Sequence, residues 1–566
     1  MLHALTRILS LGLALWTSLI NASPSDFEQE IPLSDPDDYS RACPDYAKYA
    51  QFKHEPLSTG PMKLPFQRPS KICRTFSSPL VEKVIQEVTE AMVDKDLARV
   101  FENAFPNTLD TTIRWHIDPP TVDVKSKETA PGKAKWTGAQ SFVVTGDINA
   151  EWLRDSTNQL LQYQPLAKKD LGIFNLILGA INTQTEYVIE SPYCNAFQPP
   201  SASHLAASAN GQKDQVHPNY EPSFVFECKY ELDSLAHFLS LANSFHNNTG
   251  SLEFLTPRWL KALGTVMTVL DQQSQSTFNS ETGKFEKNVY TFSRQTDQGT
   301  ETLPLNGVGN PLNFGTGLIR SAFRPSDDAT ILGFLIPANA QMAVELKRTA
   351  KILMAAKYTE LAHNLEKRAQ TMMDGIWEHG VVNHKKYGQV FAYEVDGYGS
   401  QILMDDANVP SLLSLPLLGF VDVSNPIYQN TRKMLLEKSG NPYYLEGSDF
   451  HGIGGMLALK YWTRATTNSK EGPHVGLNHA WPMSLLIQAM TTDNDEEIKG
   501  CLKTVLSSCH LGLVHEGINV DSDRVFTRSW FAWANSVFAQ TILEIARKKP
   551  YLLFGEGAKP YIMDST

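Results

Sequence analysis

Apolar residues recur at three- and four-residue spacing along most of the chain, and no other feature constrains the fold as strongly. Between Val81 and Phe101 the pattern aligns Val84, Ile85, Val88, Met92 and Leu97 on one face. Leu171 to Val188, Glu231 to Phe245, Leu252 to Leu270, Ala338 to Met354, Glu360 to Ile376, Pro426 to Leu436 and Ser529 to Ile545 repeat it. Strand-like alternation is confined to short stretches near 119–123 and 139–145. About a dozen helices without parallel-strand units predict stacked helical hairpins. Their closed solution is an all-α (α/α)6 barrel, a toroid of inner and outer helices whose long loops form the active-site face. Loops rich in Gly, Pro, Ser and Asn at 195–222, 274–325 and 439–478 supply that face. The short-period repeat of an open solenoid is absent from the sequence.

Composition narrows the partners. A hydrophobic share of 42% and a charged share of 20% suit a globular chain with a substantial core. The net charge of −11 is spread over 566 residues without a strong Lys/Arg run, so the basic face needed for nucleic acid is missing. Arg7 precedes an apolar run from Ile8 to Ile20, followed by Ala22 and Ser23. This is the layout of a signal peptide over 1–22, and the run falls short of the roughly 20 residues that span a bilayer. A secretory-pathway or secreted protein, with no membrane span in the mature chain, is expected. Six cysteines fit that compartment, and pairing by sequence neighbour gives Cys43–Cys73, Cys194–Cys228 and Cys501–Cys509. Asn247-Asn248-Thr249 is a glycosylation sequon. Residues 23–75 read as a polar, Pro-rich extended segment, and 76–566 as the catalytic domain.

The chemistry-bearing residues cluster where helices begin and end. Trp152-Leu153-Arg154-Asp155 combines an indole that can pack on a pyranose with a charged pair that can fix hydroxyls. Arg324-Pro325-Ser326-Asp327-Asp328 has Ser326 as an expected helix N-cap and two adjacent carboxylates, one of which can be held protonated as a donor. The bland alternative is compensation of a helix dipole. Asp405-Asp406-Ala407-Asn408 gathers acceptors, but without the spacing of a calcium loop. Glu516 follows His515 in a loop-like stretch suited to a general base, and Arg528, Trp530 and Trp533 open the last strong helix. His479 and Trp481 have the same texture. His474, His479, His510 and His515 form no zinc motif, and no metal site is assigned. Glycoside cleavage by inversion needs an acid and a second carboxylate roughly 6.5–9.5 Å away, and spacing alone does not choose the pair.

Taken in order, GDI…WLRDS, KYELDSL, FRPSDDA, YEVDGYG, MDDANVPSLL, HAWPMSL and FTRSWFAWANS resemble glycoside hydrolase family 125, the exo-α-1,6-mannosidases. The resemblance covers about 80 to 546. It implies an (α/α)6 barrel and cofactor-free, metal-independent hydrolysis of terminal α-1,6-linked mannose with inversion. The substrate would be a mannose-containing oligosaccharide or glycan. It also implies an acid at Asp327 or Asp328 and a base at Glu516. Trp152, Arg154, Asp155, Arg324, Asp405, Asp406, Asn408, His479, Trp481, Arg528 and Trp533 would bind the sugar. The competing readings are an inverting exo-glycosidase of other sugar specificity and a carbohydrate-binding protein without catalysis.

Overall fold

The computed structural model describes residues 43–119, 138–296, 298–455 and 478–563. The expected signal peptide therefore lies outside the described residues, as do His474 and most of the 119–123 strand.

Thirteen helices carry the architecture among the described residues: α1 Pro79–Ala91, α2 Lys95–Ala104, α3 Leu153–Leu161, α4 Leu171–Glu190, α5 Leu232–Thr249, α6 Pro257–Gln273, α7 Ile336–Ala355, α8 Thr359–His379, α9 Leu415–Leu418, α10 Pro426–Leu435, α11 Pro482–Met490, α12 Asp495–Ser508 and α13 Ala532–Lys548. Odd and even members from α2 onwards play different parts. α11 packs on α13, α13 on α3, α3 on α5, α5 on α7, and α7 on α9, tracing an arc of inner helices. The even-numbered helices cover it: α4 leans on α5, α8 on α7, and α12 on α11.

Sequence chemistry separates the two sets. Five of the six outer helices begin with their own side-chain caps, at Asp94, Asp170, Thr256, Asn425 and Asn494, while α8, preceded by Tyr358, begins without one, and most show one apolar stripe. Inner helices α3, α5, α7, α9, α11 and α13 begin without a side-chain cap hydrogen bond. Every residue of α3 from Leu153 to Leu160 is buried, including Ser156, Thr157, Asn158 and Gln159. Several of its polar groups bond internally, with Gln159 Nε2 donating to the Val144 carbonyl at 2.9 Å and Asn158 Nδ2 to the Arg154 carbonyl at 2.8 Å.

The helix-rich chain is not all-α. Seven small sheets occur among the described residues. Glu151–Trp152 pairs through Ala196–Phe197 with Val225–Glu227; Phe334–Leu335 pairs with Glu394–Val395; His479–Ala480 pairs with Gly517–Asn519. Each of these three sheets leads directly or within a few residues into an inner helix, so the strands fix where the uncapped N-termini point. The positive ends of several helix dipoles are thereby brought to the carboxylate-rich end.

Three local expectations change. The single helix over Val81 to Phe101 divides, because Met92 leaves the helical conformation and Asp94 caps a second helix. Ser326 caps no helix: residues 324–328 form a turn closed by the Arg324 N–H donating to the Asp328 carbonyl at 2.7 Å. Cys43–Cys73 and Cys194–Cys228 are disulfides, but Cys501 and Cys509 are free and buried. Cys501 lies inside α12 and Cys509 at its C-cap. Eight residues of helix rise about 12 Å, beyond the roughly 7 Å Cα limit for a bridge.

Candidate active site

A cavity partly open to solvent lies at the uncapped ends of the inner helices. Trp152, Arg154, Asp155, Asp327, Asp328, Asn408, Trp481, Glu516, Arg528 and Trp533 all line it. Arg324, Asp405, Asp406 and His479 stand behind the wall. Arg324 is buried against Glu394, with Nε 2.6 Å from Oε1. Asp405 accepts the N–H groups of Leu412 and Leu413 at 2.8 and 2.9 Å. Asp406 accepts from the Asn408 amide at 2.9 Å, and His479 pairs in register with Asn519. Arg528 and Trp530 precede α13 rather than opening it.

A hairpin builds one wall. Gly517–Asn519 pairs with Ser522–Thr527, with Gly517 opposite Thr527, so Glu516 and Arg528 flank its base. Arg528 Nε sits 3.3 Å from Glu516 Oε2, and the same guanidinium binds Asp147. Arg528 holds a φ of 46°, a conformation that costs energy in a non-glycine residue and recurs at functional sites. Burial pushes Glu516 up to about 7, against the pull of Arg528, while Asp147 adds to the rise.

The 325–328 stretch of the 324–328 turn also lines the cavity. The N–H groups of Ala322 and Phe323 both donate to the Tyr230 carbonyl, at 3.1 and 3.0 Å, which docks the turn beside Glu231. Glu394 holds its far side, accepting the N–H groups of Ile331 and Leu332 at 3.0 and 2.9 Å. Asp327, at φ 66°, projects into the cavity. Its side chain is 27% exposed and its Oδ1 lies 4.0 Å from Arg154 Nη2. Asp328 is fully buried, and burial raises it to about 7, with Arg324 opposing and Asp406 reinforcing. The two adjacent carboxylates therefore separate: Asp327 shares the field of Arg154, Asp155 and Arg528, and Asp328 that of Arg324 and Asp406.

Between the walls lie aromatic rings and donors. The Arg154 guanidinium packs over the Trp533 ring at 5.5 Å. Among the described residues the buried indole N–H groups of Trp152, Trp481 and Trp533 find no protein acceptor. Sequence reasoning did not single out Glu231, Lys229, Glu227, Arg294 or Phe531 as site residues. Glu231 falls inside KYELDSL, whose regular helical pattern offers a sufficient structural explanation by itself.

The profile of the family described as metal-independent alpha-mannosidase (GH125) matches residues 94–543. The chain belongs to this family. The mannosidase is thus a glycoside hydrolase. It is 51% identical over 514 residues to the meiotically up-regulated gene 157 protein of Schizosaccharomyces pombe, a match covering 91% of this chain and 94% of the relative. It is also similar to a Streptococcus pneumoniae metal-independent α-mannosidase solved as a non-productive substrate complex with α-1,6-mannobiose. That match has a TM-score of 0.68 and 29% identity, covering 83% of the mannosidase and 98% of the bacterial chain. Among the described residues no helix is long and apolar enough to cross a membrane, and the two disulfides are consistent with passage through the secretory pathway.

Proposed function

We propose that the mannosidase is exo-acting and removes terminal α-1,6-linked mannose from oligosaccharides or glycans with inversion, Asp327 being the acid and Glu516 the base. The observation that carries this reading is that the two carboxyls line one cavity, each beside its own arginine. A terminal mannose enters against the rings of Trp152, Trp481 and Trp533. Asp327 gives its proton to the glycosidic oxygen as the C1–O bond breaks. Glu516 accepts a proton from the water that attacks C1 from the other face. The partly negative cavity favours the oxocarbenium-like transition state, and Arg154 and Arg528 keep the remaining carboxylates in place. The α-1,6-mannobiose in the bacterial relative supports the linkage.

The wider reading has the six inner helices closing as an (α/α)6 barrel through α9, with 76–566 as the catalytic domain. A signal peptide over 1–22 and the segment 23–75 precede it, and the enzyme works in the secretory pathway or outside the cell. Incubation with α-1,6-mannobiose, followed from the first minutes by NMR of the anomeric protons, tests the central claim. Initial release of β-mannose is expected. Initial α-mannose would overturn inversion, and an intact substrate would overturn the linkage.

A further inference from the structure

Glu231 is fully buried on the threshold of α5, yet it is held within reach of the cavity by a dense set of partners. Its Oε2 accepts from Arg154 Nη1 at 2.7 Å and from Ser234 Oγ at 2.8 Å. Its Oε1 accepts from Asn195 Nδ2 at 3.2 Å. The same Asn195 amide nitrogen donates to Asp327 Oδ1 at 3.3 Å, so one Nδ2 bridges the two carboxyls. Two carboxyls held this close to one donor disfavour a second negative charge, so the pair retains one proton. Asn195 is itself fixed, its side-chain oxygen accepting the Lys229 N–H at 3.0 Å. The Cys194–Cys228 disulfide joins the residues immediately before Asn195 and Lys229.

We propose that Glu231 is a positioning residue that shares one proton with Asp327 and so keeps the acid loaded for donation to the glycosidic oxygen. The inference rests on Asp327 being the acid. Arg154 alone, 4.0 Å away, would favour an ionised Asp327 and empty it before substrate arrives. Glu231 counters this by neutralising Arg154 and by presenting a second carboxyl that cannot ionise cheaply beside the first. Burial, with Asp327 and Asp233 adding to it, raises Glu231 well above the usual carboxylate range against the pull of Arg154. The other charges facing the pair are Asp155 and Asp233 beside Arg154, Lys229 and Glu227 from the adjoining strand, and Arg528 across the cavity. In each turnover the proton leaves Asp327 for the departing oxygen. The proton from the attacking water passes to Glu516 and returns to the pair through solvent, so the enzyme is regenerated unchanged.

The test compares kcat/KM–pH profiles on α-1,6-mannobiose for wild type, Glu231→Gln, Glu231→Asp and Asn195→Ala, with folding checked by circular dichroism. Glu231→Gln removes the shared proton and leaves Arg154 underneutralised, so its alkaline limb should move down by about 1–2 pH units while the acidic limb, set by Glu516, stays. Glu231→Asp should slow turnover but keep the alkaline limb near wild type. Asn195→Ala removes a donor that favours the ionised forms and should move that limb upward, and it serves if Glu231→Gln fails to fold. An unchanged alkaline limb in Glu231→Gln, or in Asn195→Ala where Glu231→Gln does not fold, would overturn the proposal. Asp327→Asn separates the two claims. It should be severely slowed on mannobiose yet far less so on 2,4-dinitrophenyl α-mannoside, whose leaving group needs no acid. Equal slowing on both substrates would overturn the acid assignment and the shared proton with it.

Discussion

Arg528 faces Glu516 across the base of a hairpin, its Nε 3.3 Å from Oε2, while the same guanidinium also holds Asp147. One cation thus serves two carboxylates, and only one of them is buried as a base would need to be. The contact orients Glu516 and keeps its carboxylate form accessible near neutral pH despite full burial.

Glu516→Gln is expected to lower kcat on α-1,6-mannobiose by at least about 10²–10⁴-fold, the usual contribution of a general base. The amide is isosteric, so the thermal midpoint should change little. A variant that kept more than a tenth of wild-type turnover would remove Glu516 from the mechanism.

The acidic limb of the rate profile should respond to its two neighbours in opposite directions. A base works only when ionised, so activity is lost as pH falls through the Glu516 pKa, about 7 in the fold. Arg528 lowers that value, and Arg528→Gln should move the limb up by about 1–3 units. Asp147 raises it, and Asp147→Asn should move the limb down. Shifts of the same sign in both variants would mean that the limb belongs to another group.

The Arg324–Glu394 pair is buried on both sides, at 0% side-chain exposure each. Arg324→Met strands a buried carboxylate and should cost about 3–5 kcal/mol, read as a lower midpoint in urea. Because Glu394 also holds the Ile331 and Leu332 N–H groups, the turn that presents Asp327 loosens too. Turnover of the folded fraction should fall with stability, even though Arg324 does not line the cavity.

Much of this was legible before the fold was known, and what was missed has physical reasons. The outer helices announce themselves, since a stripe such as Trp259, Ala262, Leu263, Val266 and Leu270 in α6 leaves the opposite face polar. Inner helix α3 does not, because no face of Leu153–Leu160 meets solvent and periodicity loses its contrast. The strand-like stretch at 139–145 holds the strand Gln140–Val143, but pairs such as Glu151–Trp152 and Phe334–Leu335, which lead into inner helices, are too short to alternate. Asp327 and Asp328 are equivalent in sequence, and only the turn separates them: both line the cavity, but Asp327 is part-exposed beside Arg154 while Asp328 is buried in the field of Arg324 and Asp406. Glu231 looked like an ordinary helix-start acid until Asn195, 36 residues earlier, was placed beside it.

Glu151 gives stability a pH dependence unrelated to turnover. It is fully buried, accepting from Ser156 Oγ at 2.9 Å and the Val143 N–H at 3.2 Å. Burial raises it to about 8 in the fold from an ordinary 4.5. The folded state therefore holds a proton that the unfolded chain releases, and its contribution is complete below the unfolded value and lost as pH rises through the folded one. Glu151→Gln removes this linkage. Relative to wild type the variant should gain on the order of a few kcal/mol between pH 5 and pH 8. A difference in stability that stays flat with pH would mean that Glu151 is ionised in the fold.

The cysteines supply the last test, because the expected third bridge and the observed free thiols predict different chemistry. Unfolded without reductant, the protein should titrate two thiols, Cys501 and Cys509, and four more after reduction. No thiols before reduction would restore the Cys501–Cys509 bridge. The two disulfides are not equivalent in consequence. Each closes a loop of similar length, 30 and 34 residues, so replacing either pair by Ala should cost about 3–4 kcal/mol by chain entropy. Only Cys194–Cys228 adjoins Asn195, which donates to both Glu231 and Asp327. Its removal should therefore lower kcat in the fraction that remains folded, while loss of Cys43–Cys73 should affect stability alone. Equal kinetic effects from the two double variants would show that the active-site carboxyls do not depend on the disulfide beside them.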